Sequence, residues 1–264
     1  MLELRSVSCR YGDHLALKEI SARIEDGELV GVIGPNGSGK TTLIRAVTKI
    51  MRPVHGEVLL EGEPIDALSF RELARRVAVV GRLGDLDLKI SVEDLVLLGR
   101  IPHRQGFALL EKKVDLDIAR EAMRLTGIVE LKDRMVESLS SGERQLAFIA
   151  RALCQEPKLL LLDEPTSHLD ITHQIQVMDL IKELNRDKEL TVLVVLHDLN
   201  LASQYCDRLL LFDKGVLRKD GTPQDVLTYK IIEEVYKTVV LVRENPVSAR
   251  PHIFPVPGRG RRST

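Results

Sequence analysis

The stretch Gly34-Pro35-Asn36-Gly37-Ser38-Gly39-Lys40-Thr41-Thr42 constrains this chain more than any other. It fits the phosphate-cradling pattern G-x-x-x-x-G-K-[ST], which carries weight only between a strand and a helix. Both neighbours are legible: the apolar run Leu29-Val30-Gly31-Val32-Ile33 precedes it and the helical body Leu43-Ile44-Arg45-Ala46-Val47 follows. Gly34, Gly37 and Gly39 are needed because backbone N–H groups must curl around phosphate oxygens, where a Cβ would block the approach. The helix N-terminus adds partial positive charge. Lys40 is suited to reach the β- and γ-phosphates of a nucleotide, and the Thr41 hydroxyl to ligate Mg²⁺.

A second signal lies far downstream, at Leu159-Leu160-Leu161-Leu162-Asp163-Glu164-Pro165. Consecutive leucines suit a central parallel strand buried on both faces. Carboxylates at its C-terminal end stand where open α/β sheets place ligand chemistry. Asp163 is suited to hold the Mg²⁺ shell, and Glu164 to orient or deprotonate an attacking water. A helix from Ile171 to Asn185 leads to a further apolar run, Leu190 to Leu196, with His197 at its end. Alone, such a histidine is usually structural; beside the other two strand ends it reads as a γ-phosphate sensor.

Around these points the chain reads as α/β. Residues 1–33 are short strands, with a turn at Tyr11-Gly12-Asp13-His14, and Gly56 to Gly62 is another short β run. A buried strand is expected at Val77–Val80. Ser91 opens a helix with capping-box spacing that stops before Pro102, and helical periodicity dominates from about 109 to 125. The expected organisation is a mainly parallel core plus an N-terminal antiparallel β subdomain (1–81 and 158–240), a helical subdomain inserted at 82–157, and a C-terminal extension at 241–264. Tyr11, the only aromatic of the first hairpin, is by itself more often packing than function.

Bulk properties exclude several classes. A formal net charge of −1 argues against a general nucleic-acid binder. No apolar run reaches the ~18 residues of a membrane span, and the N-terminus lacks a secretory layout. Cys9, Cys154 and Cys206 form no C-x-x-C pair, which fits buried thiols in a reduced compartment.

Taken together, these residues resemble the ATP-binding subunit of ABC transporters over essentially the whole chain. Leu139-Ser140-Ser141-Gly142-Glu143-Arg144-Gln145 looks like that family's signature loop, at the start of a helix leading to the Asp163-Glu164 strand. Ser167-His168-Leu169-Asp170 looks like the loop that crosses its dimer interface, His197 like its switch histidine, and Tyr11 like its adenine-stacking aromatic. The resemblance implies a P-loop NTPase core and a head-to-tail homodimer. ATP with Mg²⁺ at Gly34–Thr42 of one copy would be sandwiched against Ser140, Gly142 and Glu143 of the other. It also implies transmembrane permease subunits as partners, a periplasmic or extracellular substrate-binding protein indirectly, and a position on the cytoplasmic face of the cell membrane. A finer similarity, to importers of iron–siderophore, haem or cobalamin complexes, rests on Gly99–His103, on His197–Ala202 and on Asn245–His252. Importers of molybdate, zinc or manganese share parts of these.

Two departures stand out. Where the family places a Gln after the Val77–Val80 strand, this chain has Arg82, which cannot ligate Mg²⁺ because it has no acceptor. Arg82 is expected to contact phosphate or the permease instead. Ser141 replaces a usual Gly. The basic tail 257–264 reads as a disordered terminus. A soluble ABC ATPase without a transporter is the rival class; its repair members carry coiled-coil insertions, and no sustained heptad run occurs here.

Overall fold

The computed structural model describes residues 1–81, 88–104 and 113–257. The expectation for Arg82, the first residues of the 109–125 periodicity and the tail beyond 257 lie outside the described residues. The chain divides into two compact units, residues 1–67 with 191–264 and residues 68–190.

The first unit opens on β1 (Leu2–Tyr11) and β2 (His14–Ile24), an antiparallel hairpin in register from Leu2↔Ile24 to Tyr11↔His14. β3 (Leu29–Ile33) runs into the phosphate-type loop and α1 (Lys40–Val47). β4 (His55–Leu60) and β5 (Glu63–Pro64) complete an antiparallel sheet in the order β2-β1-β4-β5. Leu2, Leu4, Val7 and Cys9 are buried along β1; an irregularity between Leu4 and Val7, where Ser6 has φ 48°, shifts the alternation that even positions begin and odd ones continue.

In the second unit α2 (Phe70–Arg76) leads to β6 (Val77–Val80). α3 (Val92–Leu97) starts on the expected capping box, with the Asp94 amide donating to Ser91 Oγ at 3.1 Å. Helical winding does not stop before Pro102: a 3₁₀ turn at Leu98–His103 contains it, and its carbonyl accepts from Arg75 Nε at 2.8 Å. α4 (Lys113–Leu125) and α3 both pack on α5 (Ser141–Cys154). Arg100 ties these pieces together, since its buried guanidinium meets Asp115 Oδ1 at 3.0 Å, the Cys154 carbonyl at 2.8 Å and Glu156 at 2.6 Å. β7 (Leu159–Asp163) pairs parallel with β6, and all four of its leucines are fully buried. Each is worth about 2 kcal/mol relative to exposure, so this strand is pinned and so are the carboxylates at its end. α6 (Ile171–Lys188) follows.

The chain then re-enters the first unit. β8 (Thr191–Val195), α7 (Leu199–Tyr205), β9 (Arg208–Asp213) and β10 (Val216–Gly221) follow in turn. β3 pairs parallel with both β8 and β9, and β10 closes antiparallel on β9. The helices α8 (Pro223–Val226) and α9 (Tyr229–Tyr236) precede a hairpin, β11 (Val240–Glu244) with β12 (Pro251–Pro255). This hairpin is knitted to α7. Asn200 bonds the Ile253 backbone twice, accepting from its amide at 2.8 Å and donating to its carbonyl at 3.2 Å. Arg250 donates to the Ser203 and Cys206 carbonyls at 2.8 and 2.6 Å. All three cysteines are free and buried, as their scatter predicts.

Candidate functional site

The glycine loop is shaped by what surrounds it. Gly34 has φ +146°, and a Cβ there would lie 2.2 Å from the Phe212 carbonyl oxygen. Gly39, the residue before α1, has φ +110°, and its Cβ would lie 2.7 Å from the Ala16 carbonyl oxygen. Both need glycine for space and conformation. Gly37 has φ +75° in open surroundings and needs it for conformation alone. Lys40 is only 5 % exposed, and its ammonium donates to the Gly34 and Pro35 carbonyls at 2.7 and 3.0 Å. The cation is thereby folded over the loop that is expected to take phosphate. Ser38 Oγ is buried without a hydrogen-bond partner among the described residues. A buried hydroxyl left unmade is a cost that an anionic ligand at the loop would remove.

Three other residues of this unit are of interest. The Tyr11 hydroxyl accepts from Arg45 Nη1 at 2.8 Å, so it is tethered to α1 while its ring stays 43 % exposed. The Tyr236 hydroxyl is pushed up from its ordinary value by burial, offset in part by a hydrogen bond with the Gly34 backbone. His197 follows β8 at the surface, beside Asp198, whose carboxylate caps α7 by accepting from the Asn200 and Leu201 amides at 2.7 and 3.1 Å.

The second unit carries the remaining candidates. Asp163 and Glu164 are buried at the end of β7. Glu164 adopts φ +57°, a left-handed conformation that a side chain rarely takes and that functional sites often retain. Its carboxylate accepts from Ser167 Oγ at 3.2 Å. Ser140 caps α5 in a full capping box: the Glu143 amide donates to Ser140 Oγ at 3.2 Å and the Ser140 amide to Glu143 Oε2 at 2.8 Å. The Ser140 amide, then its hydroxyl, hold the Glu143 carboxyl below its usual range, with Arg134 3.5 Å away adding to this. Asp170 caps α6 by accepting from the His173 amide at 2.9 Å, and its Oδ1 also meets His173 Nδ1 at 2.8 Å. The His173 backbone N–H, then its side chain, hold the Asp170 carboxyl low.

The structure thus places the loop Gly34–Thr42, Tyr11 and His197 in the first unit, and Asp163, Glu164, Asp170, Ser140, Gly142 and Glu143 in the second. Tyr236, His173 and the Asn200–Arg250 clamp are absent from the sequence-derived candidates. Asn200 and Arg250 do lie within two of the strings that carried the finer resemblance, and the structure brings those strings together.

Comparison with known proteins agrees with this geometry. The ABC transporter family matches residues 17–167. The ferric enterobactin transport ATP-binding protein FepC of Escherichia coli (strain K12) is 40 % identical over 254 residues, covering 96 % of this chain and 93 % of that protein. A chain described as part of a metal-chelate type ABC transporter in an inward-facing conformation superposes with a TM-score of 0.85 at 28 % identity, over 97 % of this chain and 96 % of that one. The dimeric bacterial ABC transporter cassette MJ0796 superposes with a TM-score of 0.74 at 28 % identity, over 84 % of this chain and 98 % of that one. The glycine loop between β3 and α1, the mixed parallel and antiparallel sheets and the capped 139–145 segment are those of an ABC ATPase cassette, and the chain belongs to the ABC transporter family.

Proposed function

We propose that this protein is the ATP-hydrolysing subunit of an importer for a metal chelate of the iron–siderophore type. The observation that carries the reading is the loop itself: Gly34 and Gly39 held where no Cβ fits, Lys40 buried over them, and Ser38 Oγ buried without a partner. The cargo class rests on the similarity to FepC and to the metal-chelate transporter chain. In this reading Gly34–Thr42 take the phosphates of ATP, Tyr11 stacks on adenine, and Glu164 orients the attacking water with His197 sensing the γ-phosphate. Ser140, Gly142 and Glu143 face the nucleotide of a second copy from the opposite side, and Asp170 sits at that interface. The dimeric cassette MJ0796 supports such a pairing.

In this reading Thr41 and Asp163 would each offer a hard oxygen to Mg²⁺, and among the described residues no group of three or more His, Cys, Asp or Glu could cage a metal alone. Mg²⁺ typically needs only one or two protein oxygens when nucleotide phosphates and water complete its shell. Bound there, it would neutralise charge developing on the phosphates. Among the described residues no helix is long and apolar enough to cross a membrane. By the similarity to FepC, the partners in this reading are separate permease subunits, with a substrate-binding protein beyond them, and the site of action is the cytoplasmic face of the membrane. Purified protein should hydrolyse ATP, and Lys40→Ala and Glu164→Gln should each abolish it. A pull-down from native membranes with ATP and Glu164→Gln should recover a polytopic membrane protein at one-to-one stoichiometry. Recovery of soluble or nucleic-acid partners alone would refute the importer reading.

A further inference from the structure

Gly142 and Asp170 stand far apart in the sequence, yet one side chain touches both. The imidazole of His173, in the first turn of α6, occupies the space beside Gly142 in the first turn of α5. A Cβ built on Gly142 would lie 2.1 Å from His173 Cδ2, 2.6 Å from Cγ and 2.7 Å from Nε2. On its other edge the ring meets Asp170 Oδ1 through Nδ1 at 2.8 Å. An ionised carboxylate only accepts, so Nδ1 carries the proton and donates. The same Asp170 oxygen takes the His173 backbone N–H at 2.9 Å.

We propose that His173 is a positioning residue that locks the N-terminus of the signature helix to the interface loop of the same protomer, seated in the space that the missing side chain of Gly142 leaves open. This rests on the reading above, in which Gly142 and Asp170 both face the partner's nucleotide. The physical logic is steric first. A methyl group at position 142 cannot coexist with the ring, and the ring can leave only by giving up its bond to Asp170. Asp170 then keeps its backbone cap but loses the donor that fixes its second contact. Closure around ATP requires both the signature helix and Asp170 to arrive in register. A single ring seated between them makes them arrive as one piece, and its loss lets them drift separately.

The test is a double-mutant cycle in the Glu164→Gln background, reading the ATP concentration that half-saturates dimer formation in size-exclusion chromatography. His173→Ala should raise that concentration about tenfold, the worth of one hydrogen bond to a charged group. His173→Asn, whose amide donates from the position of Nδ1, should return it to within about threefold of the parent. Gly142→Ala should cost at least as much as His173→Ala, since Gly142 also faces the nucleotide in this reading. The combination should cost less than the product of the single losses, because without the ring the clash is gone. A combined loss at the full product would mean that the two residues act independently and overturns the proposal. Circular dichroism on each variant separates these effects from misfolding. If the parent itself never dimerises with ATP, it is the functional reading that fails. The contact is then judged on nucleotide-free protein, where Gly142→Ala must remove the hydrogen-bonded Nδ1 proton resonance of His173. An unchanged resonance there overturns it equally.

Discussion

Replacing Arg250 by Met tests whether the C-terminal hairpin holds the helix that follows His197. α7 has seven residues, too short to persist without outside support. Its last carbonyls lack helical partners by geometry, and Arg250 supplies them at Ser203 and Cys206, 2.8 and 2.6 Å away. Each charge-assisted bond is worth about 1.5–3 kcal/mol when buried. The guanidinium is 26 % exposed, so the carbonyls can partly rehydrate once it is gone. Its contact with the half-exposed Asp207 at 3.2 Å adds little. The expected loss is therefore about 2–3 kcal/mol against local opening, or about 30- to 150-fold faster amide exchange. The reporters are the Cys206 amide, bonded to Ala202, and the Ile253 amide, bonded to Asn200. Mass-spectrometric exchange at neutral pH reads both. A change below threefold would refute the argument. So would an equal change across the β1–β2 hairpin, since that would be loss of the whole unit rather than release of α7.

Gly34→Ala should be severe, costing above about 3 kcal/mol and abolishing ATP binding, because its Cβ would meet backbone that cannot swing aside. Gly37→Ala, with φ +75° in open space, should cost only about 1–2 kcal/mol; thermal melts and nucleotide titration compare the two. Arg100→Met should cost about 3–5 kcal/mol in urea denaturation, because it strands the buried Asp115 carboxylate, and adding Asp115→Leu should recover most of it. The Glu143 carboxyl is held below its ordinary 4.5, so its contribution to the α5 cap is present above that pH and fades as the pH falls below it. Exchange of the Ser140 amide should follow this loss in the native protein and stay flat in Glu143→Gln. A pH-dependent Gln variant would show that another group controls the cap.

What the sequence made legible was local chemistry. The loop, its strand and its helix are contiguous, and glycine at Gly34 and Gly39 announces backbone that nothing else can adopt. The leucines of β7 and the Ser140–Glu143 box are likewise statements that neighbouring residues make about one another. The sequence marks the segment of β11 and β12 only as an extension. Its anchors are side chains bonding backbone carbonyls some fifty positions away, and periodicity carries no trace of such bonds. His173 escaped for a related reason, because its partner is an absent side chain at Gly142. The 3₁₀ turn runs through Pro102 because proline's fixed φ suits such winding, and the carbonyl that proline keeps accepts from Arg75.

The pairing of β3 with β8 and β9 has a consequence for how the protein is made. β3 ends at Ile33, and its neighbours begin at Thr191 and Arg208. At translation speeds of about 5–20 residues per second, the glycine loop waits on the order of 10–30 s for the strands that flank its sheet. The segment 68–190 is complete in the meantime and has its own buried leucines to collapse upon. The glycine loop is thus encoded early but assembled late. A nascent chain stalled before β8 would expose an unpaired, wholly apolar strand, the kind of edge that chaperones engage and aggregates recruit.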